Sequence, residues 1–403
     1  MTVSKLIIDS NQKAVLDAGF ADTFGGQPQR YFSAPGRTEI GGNHTDHQRG
    51  RVLAGAVNLD TVAAVRPNGT NVIRIQSKGY PMSVVDLSEL TPVESEINTT
   101  PALIRGVAAR FAELGCKVEG FDAYCESTVL PGSGLSSSAA YEVLIGTIIN
   151  HMFFDGKVTQ PEIAMIGQYA ENVFFGKPCG LMDQTASAVG NLVTIDFFDK
   201  DHPVIEPVNF DFESCGHALC IIDSGADHAD LTDEYAAIPG EMKAIAKVLG
   251  KEVLREVCEK EFYEKLPELR KAVNDRAVLR AIHLFEENKR VQKAVKALND
   301  RDFDAFKAVI KASGESSYKY LQNIYSAHNV ENQAVSLAIA LSEMSLLPDH
   351  GVCRGQGGGF AGTIQAFVKD EYVETYKTEI EKCFGEGSCH VLKVRKYGGI
   401  KVL

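Results

Sequence analysis

The sequence predicts an α+β fold built as two domains, and three observations lead there. Short, β-rich segments dominate the first half of the chain. Apolar residues at spacings of three and four fill most of the stretch from Asp230 to about Leu346, which is rich in Ala, Leu, Lys and Glu. Strands and helices do not alternate as regular βαβ units. With 403 residues the chain is longer than one ordinary core accommodates. The boundary is expected between residues 205 and 215, giving an N-terminal α+β domain over 1–208 and a C-terminal one over 209–403.

The elements come in this order. Val62 to Val65 and Val72 to Ile75 read as strands, with Pro67-Asn68-Gly69 as the turn between them. Leu103 to Leu114 reads as a helix and Phe121 to Val129 as a strand. A Gly/Ser loop, Pro131 to Ser138, leads into an apolar helical run from Ala139 to Ile149. Pro161 to Phe175 reads as a helix, and Leu192 to Phe198 and His217 to Asp223 as strands. After the helical stretch, Val352 to Val368 holds a Gly-rich turn and a strand. A helix near Tyr372 to Cys383 and a strand near His390 to Val394 complete the chain.

Composition narrows the functional classes. Apolar residues make up 44% and charged residues 23%, enough apolar material for packed cores. A net charge of −12 repels phosphate backbones and anionic lipid, so neither nucleic acid nor membrane is expected as a partner. No stretch approaches the roughly 18 consecutive apolar residues of a spanning helix, and Met1 to Gly19 lacks the apolar run of a signal peptide. Nine scattered cysteines, odd in number and without C-x-x-C spacing, read as reduced thiols in a cytoplasmic protein.

Three segments carry chemistry. In Gly132-Ser133-Gly134-Leu135-Ser136-Ser137-Ser138, glycines and serines precede a helix. That makes an anion site, because backbone N–H groups and the helix dipole both favour phosphate. A Walker A lysine is absent. The second segment, Gly36 to His47, packs Arg37, Glu39, Asn43, His44, Asp46 and His47 between glycines. Such density is costly to bury unless the groups bind something or one another. His44 and Asp46 suit sugar hydroxyls, and Arg37 suits a phosphoryl group or a carboxylate. The third, Gly355 to Gly362, contains a G-x-G-x-x-G match, but a strand rather than a helix comes after it, so the dinucleotide-binding context fails. Outside them, Asp183 sits among apolar neighbours and needs a partner, for which Arg37 is the candidate.

In this order and at these separations, the three segments resemble the three motifs of the GHMP small-molecule kinases. Cys179-Gly180-Leu181-Met182-Asp183-Gln184, and Asp223-Ser224 followed by Tyr235, resemble the galactose-phosphorylating members. The resemblance implies two α+β domains with the active site in the cleft between them. It also implies ATP and Mg²⁺ as cofactors and phosphorylation of a galactose-type sugar at its C1 hydroxyl. By the same resemblance Asp183 is the base and Arg37 its partner. Ser137, or a neighbouring serine, and Glu171 hold Mg²⁺. The loop from Gly132 to Ser138 cradles the phosphates, and His44, Asp46, Gly180 and Tyr235 contact the sugar. Beyond sugar and ATP, at most a weak homo-oligomer is expected.

The sequence also departs from that family. Its signature has Glu where Asn43 stands, Asn where Glu39 stands, and usually Tyr where His47 stands. Asn43, expected at the sugar's C6 end, can accept from a hydroxyl or donate to a carboxylate, so galacturonate is an alternative substrate. A sugar and ATP sensor without turnover is the alternative of another class. Such regulators have a shortened Ser/Ala run, whereas Ser136-Ser137-Ser138-Ala139-Ala140 is complete here.

Overall fold

The structure is a computed structural model that describes residues 7–129, 134–225, 231–360 and 362–403. Two sheets organise it. The first has eight strands and is built on a long antiparallel hairpin of β1 (Arg30–Gly41) and β2 (Arg51–Pro67). One part of β2 pairs with β5 (Phe121–Ser127) and the other with β6 (Leu192–Asp196), which carries β7 (Val204–Val208). Next to β5 lie β3 (Val72–Ser77) and β4 (Ser83–Asp86). β1 is buried along nearly its whole length because both of its faces are covered. On one face α1 (Ser10–Phe24) brings Leu16 and Phe20 onto Tyr31 and Val62. On the other, Phe32 joins the core formed with α2 (Thr100–Glu113), α3 (Ser137–Phe153), α4 (Gln160–Tyr169) and α5 (Met182–Val189).

The strands expected at 62–65 and 72–75 are present, and Gly69 turns between them at φ 68°. They are not neighbours, however: β5 inserts between them, antiparallel to β2 and parallel to β3. A parallel pairing needs a crossover, which β4 and α2 supply. The helix expected at 161–175 begins at Thr159 with a reciprocal cap from Glu162. Its last turn, Ala170–Phe175, widens into a π-helix.

The second sheet has four antiparallel strands, ordered β11 (Cys389–Leu392), β8 (His217–Asp223), β10 (Thr363–Lys369) and β9 (Gly351–Gly355). The two-residue period of a strand sorts β8 between two cores. Leu219 and Ile221 face one core with α9 (Asp275–Asn299) and α10 (Phe303–Ser316), while Cys220 and Ile222 face the other with α11 (Ala334–Leu346) and α12 (Val373–Phe384). Ile40, Leu53 and Val57 of the first sheet share the α9–α10 core, so the two halves are joined by apolar packing. Helix α6 (Thr232–Val248) packs on α9, followed in the chain by α7 (Glu259–Glu264) and α8 (Leu266–Ala272). The final strand, β12 (Ile400–Lys401), returns to pair with β1.

Candidate active site

The cavity lies where β1, the start of α3, the start of α5 and the turn between β9 and β10 converge. At its centre Arg37 grips Asp183 with two hydrogen bonds, Nε to Oδ1 and Nη2 to Oδ2, each 2.7 Å. Arg37 also donates to the Gly134 carbonyl at 2.5 Å, and the Ser136 hydroxyl donates to Asp183. Burial alone would push the Asp183 carboxyl up; the guanidinium and the serine outweigh it and hold the group below the usual carboxylate range. The carboxylate is thus ionised at neutral pH, with 28% of its side chain open to the cavity.

The serine loop divides its labour. Ser136 sits in the left-handed region, at φ 59°, at the N-terminus of α3, and is committed to Asp183. Leu135 packs its side chain into the core beside Ile40, so only its backbone can meet a ligand. Ser136 and Ser138 line the cavity; Ser137, named with its neighbouring serines for Mg²⁺, is not among the lining residues. Ser138, one position on, brings its hydroxyl to 3.5 Å from Glu171 Oε1. Gly132 and Ser133 lie outside the described residues.

Glu171 is set by the π-helical turn, with its carboxylate nearly closed to solvent, and accepts from Gln184 at 2.9 Å. Lys177 approaches it at 3.6 Å. A hydroxyl and a carboxylate are hard oxygen donors, the set a magnesium ion takes up beside phosphate groups.

The sugar-signature turn comes directly after β1. His44 has φ 57°, and Gly42, at φ 95°, allows the chain to pass close to Arg51 and Val52. His44 Nε2 donates to the Gly358 carbonyl at 3.0 Å, which fixes the proton there and leaves Nδ1 as an acceptor without a partner among the described residues. Its ring lies 5.2 Å from that of Tyr235, whose hydroxyl is 3.2 Å from His47 Nε2. Asp46 opens the next turn, accepts the His47 N–H at 2.9 Å and stands against Gly180. A Cβ at Gly180 would collide with the Asp46 carboxylate. Gly180→Ala is therefore expected to raise KM for the acceptor roughly 10- to 100-fold with little change in KM for ATP, because an ångström-scale misplacement of a positioning group can cost about 10²-fold. Equal effects on both KM values would show that Gly180 does not act through Asp46.

Burial drives the His44 imidazole down to about 3, and on α9 it drives His283 down to about 4. The His283 Nε2 donates to the Asn43 carbonyl, and its Nδ1 faces the Ser316 hydroxyl. An unfolded imidazole protonates below about 6.5, whereas these two stay neutral in the folded chain until pH 3–4. Their contribution is complete above pH 6.5 and is lost as pH falls from 6.5 towards 4. The loss is roughly 2 kcal/mol per imidazole by pH 5. Urea unfolding at pH 7 and pH 5 is expected to show a shallower pH dependence in His283→Gln than in the parent; equal slopes would contradict this.

Asn43, expected at the sugar's C6 end, stands one layer back. Its side chain is buried behind the cavity wall and does not line it. The amide nitrogen donates to the Gly357 carbonyl at 2.7 Å and to Glu39 at 3.1 Å, and Oδ1 accepts from Asn323 at 2.8 Å. Glu39 lines the cavity instead, bound to the fully buried Arg354 at 2.7 Å. Burial raises the Glu39 carboxyl, and Arg354 and Arg37 oppose that shift.

Sequence reasoning missed the supports of this wall. Glu287 of α9 accepts the Gly42 N–H at 3.1 Å and the Arg290 Nε at 2.6 Å. Gln356 accepts from Thr38 at 2.6 Å, and Gln365 donates to the Glu39 carbonyl. A run of polar residues on helices and strands that also carry core residues was the one available signal. The third motif is a turn between antiparallel strands, as its sequence suggests, with Gly357 at φ 64° and Gly359 at φ 76°.

Residues 102–191 match the GHMP kinases N-terminal domain, and residues 18–67 match the galactokinase galactose-binding signature. The fold has solved counterparts of the same class. A galactokinase of Lactococcus lactis complexed with galactose superposes with a TM-score of 0.82 at 23% identity, over 96% of this chain and 99% of that one. A mevalonate kinase of Methanococcus jannaschii gives a TM-score of 0.64 at 14% identity, over 92% and 99%. The architecture is that of the GHMP kinases. A galactokinase of Actinobacillus pleuropneumoniae serotype 3 is 31% identical over 360 residues, 88% of this chain and 89% of the relative. One from Streptomyces coelicolor is 29% identical over 371 residues, 91% of each. The chain belongs to the galactokinase family.

Proposed function

We propose that the chain transfers the terminal phosphoryl group of ATP to the C1 hydroxyl of galactose. The observation that carries this reading is the Arg37–Asp183 pair, set in one cavity beside a serine loop at the N-terminus of a 17-residue helix. The helix terminus favours phosphate. Asp183, ionised and open on one side, accepts a hydrogen bond from the acceptor hydroxyl and orients its oxygen towards the phosphorus. Its low proton affinity suits a loose transition state, in which the hydroxyl proton departs late. Arg37 holds Asp183 in place and offers positive charge to the group in transit. Ser138 and Glu171 would hold Mg²⁺, which neutralises phosphate charge when bound. His44, Asp46, Gly180 and Tyr235 form the sugar side.

Other expectations enter with this proposal. The chain works as two lobes, 1–208 and 209–403; the division of strands between the two sheets supports this, with β12 crossing back. It acts in the cytoplasm, as a monomer or weak homo-oligomer, with its thiols reduced. All nine cysteines are free, and no helix among the described residues is long and apolar enough to cross a membrane.

The test is ADP release with Mg-ATP against galactose, galacturonate, glucose, N-acetylgalactosamine and arabinose. Turnover is expected to be fastest on galactose. Silence on every sugar, with ATP binding retained, would overturn the catalytic reading in favour of a sensor.

A further inference from the structure

The acceptor wall of the cavity carries a carboxylate to which no sugar-binding role attaches in the sequence. Glu39 lies in β1, between Arg37 and the His44 turn, with 4% of its side chain exposed and the cavity in front of it. Its Oε1 receives Arg354 at 2.7 Å and the Asn43 amide at 3.1 Å. The contact to Oε2 is the longer one from Asn43, at 3.3 Å. A carboxylate offers about four acceptor positions, so capacity is left on the cavity side. The group is also held rigidly, since its carbonyl accepts from Gln365 and its backbone pairs with Ala54 of β2.

Asn43 cannot take this role. Its amide nitrogen and oxygen are engaged with Gly357, Glu39, Asn323 and Ser317, and turning it outward would leave buried polar groups unpaired. The charges around Glu39 point the same way. Asp46 adds a second carboxylate to the wall. The nearby cations are already engaged: Arg37 by Asp183, and Arg354 behind Glu39 with no exposed surface. Lys177 stands with Glu171. Such a wall accepts hydroxyl hydrogens and repels an anion.

We infer that Glu39 is a specificity-determining residue, whose carboxylate accepts a hydrogen bond from one hydroxyl of the acceptor sugar and, with Asp46, excludes sugar acids. The inference rests on the kinase reading above. It closes the route to galacturonate that an Asn43 amide at the sugar would open, because negative charge at the wall comes from position 39.

The experiment measures kcat/KM by ADP release for the full chain and Glu39→Gln. The acceptors are galactose, its 2-, 3-, 4- and 6-deoxy analogues, and galacturonate. Glu39→Gln is expected to lower kcat/KM for galactose roughly 10- to 100-fold, as loss of a charged hydrogen bond does. The penalty should vanish for the one deoxy analogue that lacks the contacted hydroxyl, and the galacturonate-to-galactose ratio should rise. Equal penalties across all analogues, or an unchanged ratio, would overturn the inference. Glu39→Asp keeps a charge opposite Arg354 but withdraws it by one methylene. It serves where the Gln variant does not fold, with the same pattern at smaller amplitude. A parent enzyme silent on galactose would instead overturn the kinase reading itself.

Discussion

Asp183→Asn is expected to lower kcat by about 10³- to 10⁴-fold while leaving affinity for a non-hydrolysable ATP analogue essentially unchanged. The amide keeps the shape of the carboxylate, so the cavity is preserved. It loses one of the two acceptors that hold Arg37 and can neither align nor relieve the sugar hydroxyl as an anion does. Because Arg37 and Ser136 hold the carboxyl low, the parent kcat should show no acid limb from this group above pH 5. Single-turnover measurements separate chemistry from product release. Turnover within tenfold of the parent would remove Asp183 from the reaction.

Arg354→Met is expected to cost about 3–5 kcal/mol of folding stability, the range for removing one partner of a buried ion pair. Arg354 has no exposed surface and donates to the carbonyls of Ile40 and Gly355 as well as to Glu39. It extends from β9 of the second sheet to β1 of the first. Met fills most of the volume but leaves the Glu39 carboxylate without its cation, with only the Asn43 amide as donor, and takes the guanidinium from the Ile40 carbonyl. Adding Glu39→Gln should recover part of the loss, since the stranded group is then neutral. Urea unfolding of both single variants and the double variant checks this. A loss under about 1 kcal/mol, or no coupling in the cycle, would show that the pair does not tie the sheets together.

Much of the architecture was legible in the sequence because local signals suffice for it. The helices at 100–113 and 137–153 and the strand at 217–223 follow from apolar period and punctuation. The Gly/Ser loop ahead of the helix at 137–153 is legible for the same reason, since glycines and serines before an apolar run are a local pattern. The pairing partners were not legible. Pro67-Asn68-Gly69 marks a turn correctly, yet cannot reveal that a strand more than 40 residues later inserts beside β2.

The site shows the same division. The sequence by itself singled out Arg37, Asp183, Glu171 and the serine loop, because their residue types and neighbours are informative one at a time, and the structure brings them to one cavity. Only the tertiary structure decided which way each side chain faces. Consecutive residues of a strand point to opposite sides, and the bulge between Glu39 and Gly41, followed by Gly42 at φ 95°, re-aims the side chains beyond them. Asn43 therefore faces the helices, where His283 and Asn323 hold it, and Glu39 reaches the cavity on the support of Arg354. Those partners lie 240 to 315 residues away along the chain. Burial and hydrogen bonding at such separations are set by packing, and no local pattern encodes them.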